Sequence, residues 1–208
     1  MSKPRGSSVS WRERQERDPY VQRARREGWR SRAVYKLQEI DDVERLLRHD
    51  MSCVDLGAAP GSWSQYVTTK LNGRARIVAI DTLPMDALPG VDFIRGDFTD
   101  EAVLEQLLQI VGDARIDLVM SDLAPNSSGS RAVDQPRSMY LAELALDFAR
   151  RVLRHRGDFV CKLFQGAGFD PFLADVRSSF GSVKVRKPKA SRSGSREVYL
   201  VARNYQLV

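Results

Sequence analysis

Three scarcities frame this chain of 208 residues. It has two cysteines, Cys53 and Cys161, both inside apolar runs that read as strands. Two such thiols make neither a disulfide framework nor a zinc site, and they point to a reduced, cytoplasmic setting. It has two histidines, His49 and His155, each beside arginine in a polar stretch. That argues against histidine-centred catalysis and against a bound metal. Long uncharged apolar runs are missing, so nothing is built to span a bilayer. The opening MSKPRGSSVSWRERQERDPY has no apolar core of the kind a secretory leader needs. What is present is 42% hydrophobic and 29% charged, the balance of a globular chain. The length suits one compact domain that folds without staples. The expected layout is a flexible basic arm over 1–18 and a single domain over 19–208, acting as a monomer.

The net charge of +6 is unevenly spread. Residues 1–32 carry ten Lys/Arg against four Asp/Glu, residues 182–196 carry six Lys/Arg and no acid, and the rest sums to −6. Two basic segments on an acidic body suggest a polyanionic partner, nucleic acid first. The plainer alternative is a basic tail and an unrelated basic hairpin.

Hydrophobic spacing gives the order of elements. Residues 20–48 read as helical, with Ala33, Leu37, Ile40, Val43 and Leu47 on one face. MSCVDLG, RARIVAID, VDFIRGD, RIDLVMSD and GDFVCKLF read as five strands. Between them lie helices at SWSQYVTTKL, DEAVLEQLLQIVG and SMYLAELALDFARRVLRHRG, the last closed by Gly157. A helix at DPFLADVRSSFG, with Pro171 near its start, leads to strands SVKVRKP and REVYLVAR. Apolar strands alternating with helices imply a parallel sheet covered on both faces. The linker between the last two strands is too short for a crossover helix, so they should pair antiparallel.

The first strand ends in Asp55-Leu56-Gly57-Ala58-Ala59-Pro60-Gly61. This is D-x-G-x-x-x-G, not the G-x-G-x-x-G of a dinucleotide site, which weighs against a nicotinamide-dependent oxidoreductase. Small residues at a strand-to-helix turn still let a ligand approach the backbone. Asp81 closes the second strand, where a carboxylate can accept from ribose hydroxyls. Asp97 closes the third and Asp122 the fourth. Four acids at consecutive strand ends suit S-adenosylmethionine, with its sulfonium, amino group and ribose. The alternative is that each merely caps a turn.

Lys162 ends an otherwise apolar strand, a costly place unless it meets water or a carboxylate. If strands four and five are neighbours, Asp122 and Lys162 emerge at one sheet edge. An antiparallel last strand would bring Glu197 there too, and Lys36 could lean over from the N-terminal helix. Read alone, Lys36 and Glu197 are ordinary surface charges.

The segments RSRAVYKLQEI, VDLGAAPGSWSQYV, MSDLAPN, RSMYLAELAL, VCKLFQG and VRKPKASRSGSREVYLVA closely resemble the bacterial FtsJ/RrmJ family of rRNA 2′-O-methyltransferases, from about residue 11 to about residue 203. The resemblance implies a Rossmann-like methyltransferase fold with strand order 3-2-1-4-5-7-6 and strand seven antiparallel. It implies a catalytic tetrad at Lys36, Asp122, Lys162 and Glu197. It implies S-adenosylmethionine contacts at Gly61, Trp63, Asp81, Asp97 and Asp122, beside Asp55 and Gly57 of the turn. It further implies methylation of a uridine 2′-hydroxyl in 23S rRNA, on the assembled 50S subunit. Ser62 departs from the family's Pro-Gly-Gly-Trp turn, but it opens a helix, where Ser is favourable.

Chemically, the hydroxyl must be aligned with the methyl and lose its proton. Lys162 could accept that proton only in its neutral form, which desolvation and the cation Lys36 favour and carboxylates oppose. General base and charged orienter both stay open, with Lys162 as the base the favoured role. Transfer RNA or cap 2′-O-methylation, and RNA binding without turnover, are the competing readings. For RNA, Arg23, Arg25, Arg26, Arg30 and Arg32 on one side, and Lys184, Arg186, Lys187, Lys189, Arg192 and Arg196 on the other, are expected to flank one mouth and clamp phosphates.

Overall fold

The computed structural model describes residues 16–112, 115–192 and 194–206. The arm expected over 1–18 therefore lies outside the described residues, apart from Glu16, Arg17 and Asp18. Among the described residues no helix is long and apolar enough to cross a membrane.

Seven strands form one sheet in the order β3-β2-β1-β4-β5-β7-β6. They are β1 (Met51–Leu56), β2 (Ala75–Asp81), β3 (Val91–Arg95), β4 (Ile116–Ser121), β5 (Leu153–Phe164), β6 (Phe180–Arg186) and β7 (Glu197–Tyr205). β7 runs antiparallel to both β5 and β6, and the pairings among β1 to β5 are parallel. The expected order and the expected antiparallel strand are both present.

The inner strands β1, β4, β5 and β7, and most of β2, are apolar on both faces because both faces are covered, while the edge strands β3 and β6 are more polar and exposed. Helices α4 (Glu101–Val111), α5 (Arg131–Val152) and α6 (Phe169–Ser179) pack one core, with Val54, Leu56, Phe159 and Leu200. Helices α1 (Pro19–Glu27), α2 (Val34–Glu44) and α3 (Ser62–Lys70) pack the other, with Cys53, Leu118, Val160 and Tyr199. The two-residue period of a strand puts Val160 and Lys162 of β5 on this second face, and with them Tyr199 and Val201 of β7.

Two expectations need correction. The single helix over 20–48 is two helices. Gly28, at φ 76°, ends α1 and returns its N–H to the carbonyls of Ala24 and Arg25. Asp18 caps the start of α1 by accepting from Tyr20 N. The supposed apolar face fails within α2 itself: Val43 is 64% exposed, Asp41 and Glu44 are buried, and the helix ends at Glu44, before Leu47. The long helix, in turn, ends at Val152 rather than Gly157. Leu153 pairs with Ile116 and Asp158 with Leu118, so the RHR of RHRG loops out of β5 as a bulge. The same helix starts at Arg131, with Pro136 inside it, rather than at Ser138.

Candidate active site

The carboxyl ends of β1, β2 and β4, with the turn beyond β3, line a cleft of about 730 Å³. Gly57, Asp81, Asp97, Phe98 and Asp122 are on its wall, and Arg137 and Tyr140 of α5 form its far rim. This is where a doubly wound sheet leaves a crevice for a ligand.

The four acids divide. The carboxylate of Asp81 accepts from Ala59 N at 2.9 Å and from Leu83 N at 2.9 Å, one N–H per oxygen. Oδ1 also accepts weakly from the Thr82 hydroxyl at 3.4 Å, so Oδ2 is the oxygen with capacity to spare. Asp97, two residues beyond β3, accepts on Oδ1 from the N–H and hydroxyl of Thr99 and leaves Oδ2 without a partner among the described residues. Both thus set turn geometry and also line the cleft. Asp55 does not line it. Its Oδ2 holds Ser64 N and Oγ, at 3.1 and 2.7 Å, fixing the start of α3. Its Oδ1 is buried and has no partner. Burial, aided by Asp122 and Asp81, pushes this carboxyl up to about 7 against the pull of the Ser64 bonds.

Gly61 and Trp63 also lie off the cleft wall. The Trp63 indole is buried, donates to Ala33 O at 2.8 Å and packs on Tyr199 with centroids 5.7 Å apart. What Trp63 can offer a ligand is its backbone N–H, at the second position of α3, where no intrahelical acceptor exists. Gly61 is closed over by Arg30 and Met85: a Cβ there would stand 2.9 Å from Arg30 Nη1 and 2.7 Å from Met85 Sδ.

Asp122 joins the cleft to the tetrad. Its Oδ1 lies 3.2 Å from Lys162 Nζ, which also donates to Asp122 O at 2.5 Å. Lys36 Nζ pairs with Glu197 Oε1 at 2.8 Å, and Ser191 Oγ donates to the same oxygen. The four residues come from α2, the ends of β4 and β5, and the start of β7. Together they form two ion pairs, mostly buried yet with unspent valences: Oδ2 of Asp122, Oε2 of Glu197 and protons on both ammoniums.

Tyr199 links the pairs, and sequence reasoning missed it. Its hydroxyl donates to Asp122 Oδ1 at 2.7 Å, and Lys36 Nζ stands 5.7 Å from its ring centroid. It is the cross-strand partner of Lys162 and fully buried. Burial holds its phenol well above the usual tyrosine range, so it stays a donor. Its signal was available: an antiparallel β7 whose Glu197 faces the site must send the residue two further on to the same face.

The basic residues require a larger correction. Arg30 donates to the carbonyls of Pro60, Asp86 and Ala87, tying two loops of the cleft together. Arg32 pairs with Asp18 and donates to Ala190 O. Arg186 and Lys184 both pair with Glu44, whose side chain is 2% exposed. Burial alone would push Glu44 up, but the bonds from Arg186 and Lys184 outweigh it and hold it low. Arg23 pairs with Glu27, while Lys187 and Arg196 donate to Ser195 O and Gln165 O. Much of the expected clamp is therefore internal bracing. Arg25, Arg26, Lys189 and Arg192 stay exposed, with no side-chain acceptor among the described residues. The two segments do lie on one side: besides the Arg32 contact, Glu39 accepts from Lys189 N and Ala190 N.

Comparisons with known proteins agree with this architecture. Residues 29–205 match the family model of the FtsJ-like methyltransferases. The ribosomal RNA large subunit methyltransferase E of Legionella pneumophila strain Corby is 53% identical over 201 residues, 97% of this chain and 98% of that protein. The crystal structure of a ribosomal RNA methyltransferase from Plasmodium falciparum superposes with a TM-score of 0.77 at 30% identity, covering 85% of this chain and 98% of that one. Human methyltransferase-like protein 13, solved with S-adenosylhomocysteine, shares the fold at 18% identity and a TM-score of 0.60, over 82% of each chain. On the match across most of its length, this chain belongs to the FtsJ-like methyltransferase family.

Proposed function

We propose that the protein transfers a methyl group from S-adenosylmethionine to the ribose 2′-hydroxyl of a uridine in large-subunit rRNA, with the assembled subunit as substrate. The observation that carries this reading is Asp122, shared by the cleft wall and the paired lysines. A donor held in the cleft would present its reactive group beside Lys162.

The residues present fit that donor. Asp81 and Asp97 offer carboxylate oxygens at the cleft wall, suited to ribose hydroxyls and an adenine amino group. Phe98 adds an apolar surface, and Asp122 an anion for a cationic centre. Bound there, S-adenosylmethionine supplies an electrophilic methyl on a good leaving group. The chain's own task is to aim an oxygen and manage its proton. Lys36, fixed by Glu197, orients the ribose. Lys162, aimed by the carbonyl and carboxylate of Asp122, takes the hydroxyl proton in its neutral form. Tyr199 donates into the same Asp122 oxygen and draws down its negative charge. Positioning of this kind is worth about 7–11 kcal/mol of barrier.

Bacterial relatives named for large-subunit rRNA methylation, at 53% identity, support the choice of substrate. Exposed Arg25, Arg26, Lys189 and Arg192 on the tetrad's side would meet phosphates. The test is incubation with methyl-labelled S-adenosylmethionine and protein-free rRNA, 50S subunits or tRNA, followed by nuclease digestion. Label in a 2′-O-methyluridine of 23S rRNA is expected, most of it from subunits. Label on a base, or on tRNA alone, overturns the reading.

A further inference from the structure

The end of the sheet opposite the cleft is strongly basic, and nothing in the reaction uses it. The amino ends of β1, β2, β4 and β5 and the last turn of β7 meet there. Residues 45–50, 74, 115–117, 153–158 and 203 hold seven arginines and both histidines of the chain against three aspartates.

The aspartates are occupied. Asp50 pairs with Arg74. Asp117 accepts from Ser52 N and pairs with Arg154. Buried Asp158 accepts from Asn204 N and lies 3.5 Å from Arg203 and 3.9 Å from Arg48. These contacts draw the loop after α2, the bulge of β5 and the end of β7 into one surface. On it, Arg45, His49, His155 and Arg156 are exposed and make no side-chain hydrogen bond or ion pair among the described residues.

The backbone is bent to present these cations. The bulge adds three residues to β5, Arg154, His155 and Arg156, between partners that are two apart on β4. Arg156 sits at φ 64° and Arg45 at φ 53°. That region is strained for a side-chain-bearing residue, and Gly or Asn would relieve it. Gly157 closes the bulge tightly, since a Cβ would lie 3.0 Å from Arg154 O and 3.3 Å from Asp117 O. A bulge that only turned the chain would not need arginine at its strained tip.

We propose that this pole is a second RNA-binding surface, taking backbone phosphates of the rRNA at a distance from the target ribose. The inference rests on rRNA being the substrate. β1 is six residues long, so pole and cleft are about 20 Å apart along the strands. An RNA that meets both must extend well beyond the target nucleotide, as rRNA does. Exposed arginines without internal acceptors suit phosphates, and beside Arg45 the one large exposed apolar side chain among the described residues is Val43, a small anchor for a protein partner.

The variant Arg45→Asn/Arg156→Asn removes two charges while favouring both backbone conformations, so it should fold at least as well as the parent. Its affinity for protein-free 23S rRNA and for 50S subunits should fall about tenfold near 0.1 M salt. The slope of log K against log salt should become shallower by about 1.5, the loss of two phosphate contacts. S-adenosylhomocysteine affinity and kcat at saturating RNA should not change. Unchanged rRNA affinity and slope would overturn the proposal. So would a loss on subunits with none on protein-free rRNA, which would make the partner a protein. If the parent labels no RNA, the substrate reading fails, while the binding measurements still decide the pole.

Discussion

Two groups of buried charge sit at opposite ends of α2 and use the same residue types differently. At one end, Lys36 and Glu197 pair beside Lys162 and Asp122, with oxygens and ammonium protons left over. At the other, Glu44 gives Oε1 to Arg186 and Oε2 to Lys184, and Asp41 gives Oδ1 to Leu46 N and Leu47 N and Oδ2 to Tyr66 OH. The second group is spent on holding α2 to the sheet. The first keeps valences unused, and its Asp122 is on the cleft wall. Access to the cleft, rather than charge, separates the two groups: Asp41 and Glu44 are closed in by their partners, whereas Asp122 lies on the cleft wall, where a substrate could use its free oxygen.

The widest separation between the groups should come from Lys162→Ala. Methyl transfer should fall about 10²–10⁴-fold, the span of a general base. The fold and S-adenosylhomocysteine affinity should hold, while the melting temperature falls by a few degrees, because Asp122 loses its cation but keeps its Tyr199 bond. A single-turnover rate near that of the parent would take Lys162 out of the mechanism.

Asp55 belongs to neither group, with one oxygen spent and one buried and unpartnered. Its carboxyl sits at about 7 when folded, above an unfolded value near 4. A raised value means the folded state binds this proton more tightly. The stability it contributes is full below about pH 4 and is lost as pH rises through about 7, by up to about 4 kcal/mol. Asp55→Asn should flatten that decline in denaturant midpoints between pH 5 and pH 8. An unaltered pH profile would mean Asp55 is ionised without penalty.

Glu44→Ala tests the brace. It strands two partly exposed cations at the end of α2 and should cost about 2–3 kcal/mol of stability. The folded fraction should keep its kcat. Normal stability with lost activity would transfer Glu44 to the site and erase the contrast.

The sheet order and the full tetrad of Lys36, Asp122, Lys162 and Glu197 came from the family resemblance. Strand-end position and strand direction could bring Asp122, Lys162 and Glu197 to one edge, but Lys36 is on a helix and, like Glu197, reads alone as a surface charge. The roles of the arginines were not legible. Arg32 and Arg186 look like exposed cations until the fold brings Asp18 and Glu44 to them, contacts 14 and 142 residues away in the chain. The break at Gly28 was missed because the apolar period begins only at Ala33, and extending the helix back from there to residue 20 passes over the glycine signal. The bulge after Val152 was missed because RHRG continues a helical composition, and the strand pairing that overrides it is a tertiary effect.

Asp81→Ala should sharpen the cleft's side of the contrast. Losing a cleft-wall carboxylate with one oxygen to spare should weaken S-adenosylhomocysteine binding about ten- to a hundredfold by calorimetry. It also releases Ala59 N and Leu83 N, so a chemical shift or melting change confined to these loops should accompany it. Unchanged affinity would leave Asp81 a turn residue only.

The smallest effect belongs to the residue that joins the two ion pairs. Tyr199→Phe keeps the ring, and with it the contacts to Trp63 and Lys36, and deletes only the hydroxyl that donates to Asp122 Oδ1. Asp122 then holds Lys162 with no competing donor on that oxygen, and the lysine loses freedom to engage the substrate hydroxyl. A hydrogen bond to a charged group is worth about 1.5–3 kcal/mol, part of which the pair recovers by tightening. The expected outcome is a kcat lowered about tenfold, with KM for RNA and S-adenosylhomocysteine affinity within a factor of two of the parent. A purely structural tyrosine would behave otherwise. Its phenylalanine variant would melt earlier and turn over at the parental rate once folded, and that result would return Tyr199 to the core.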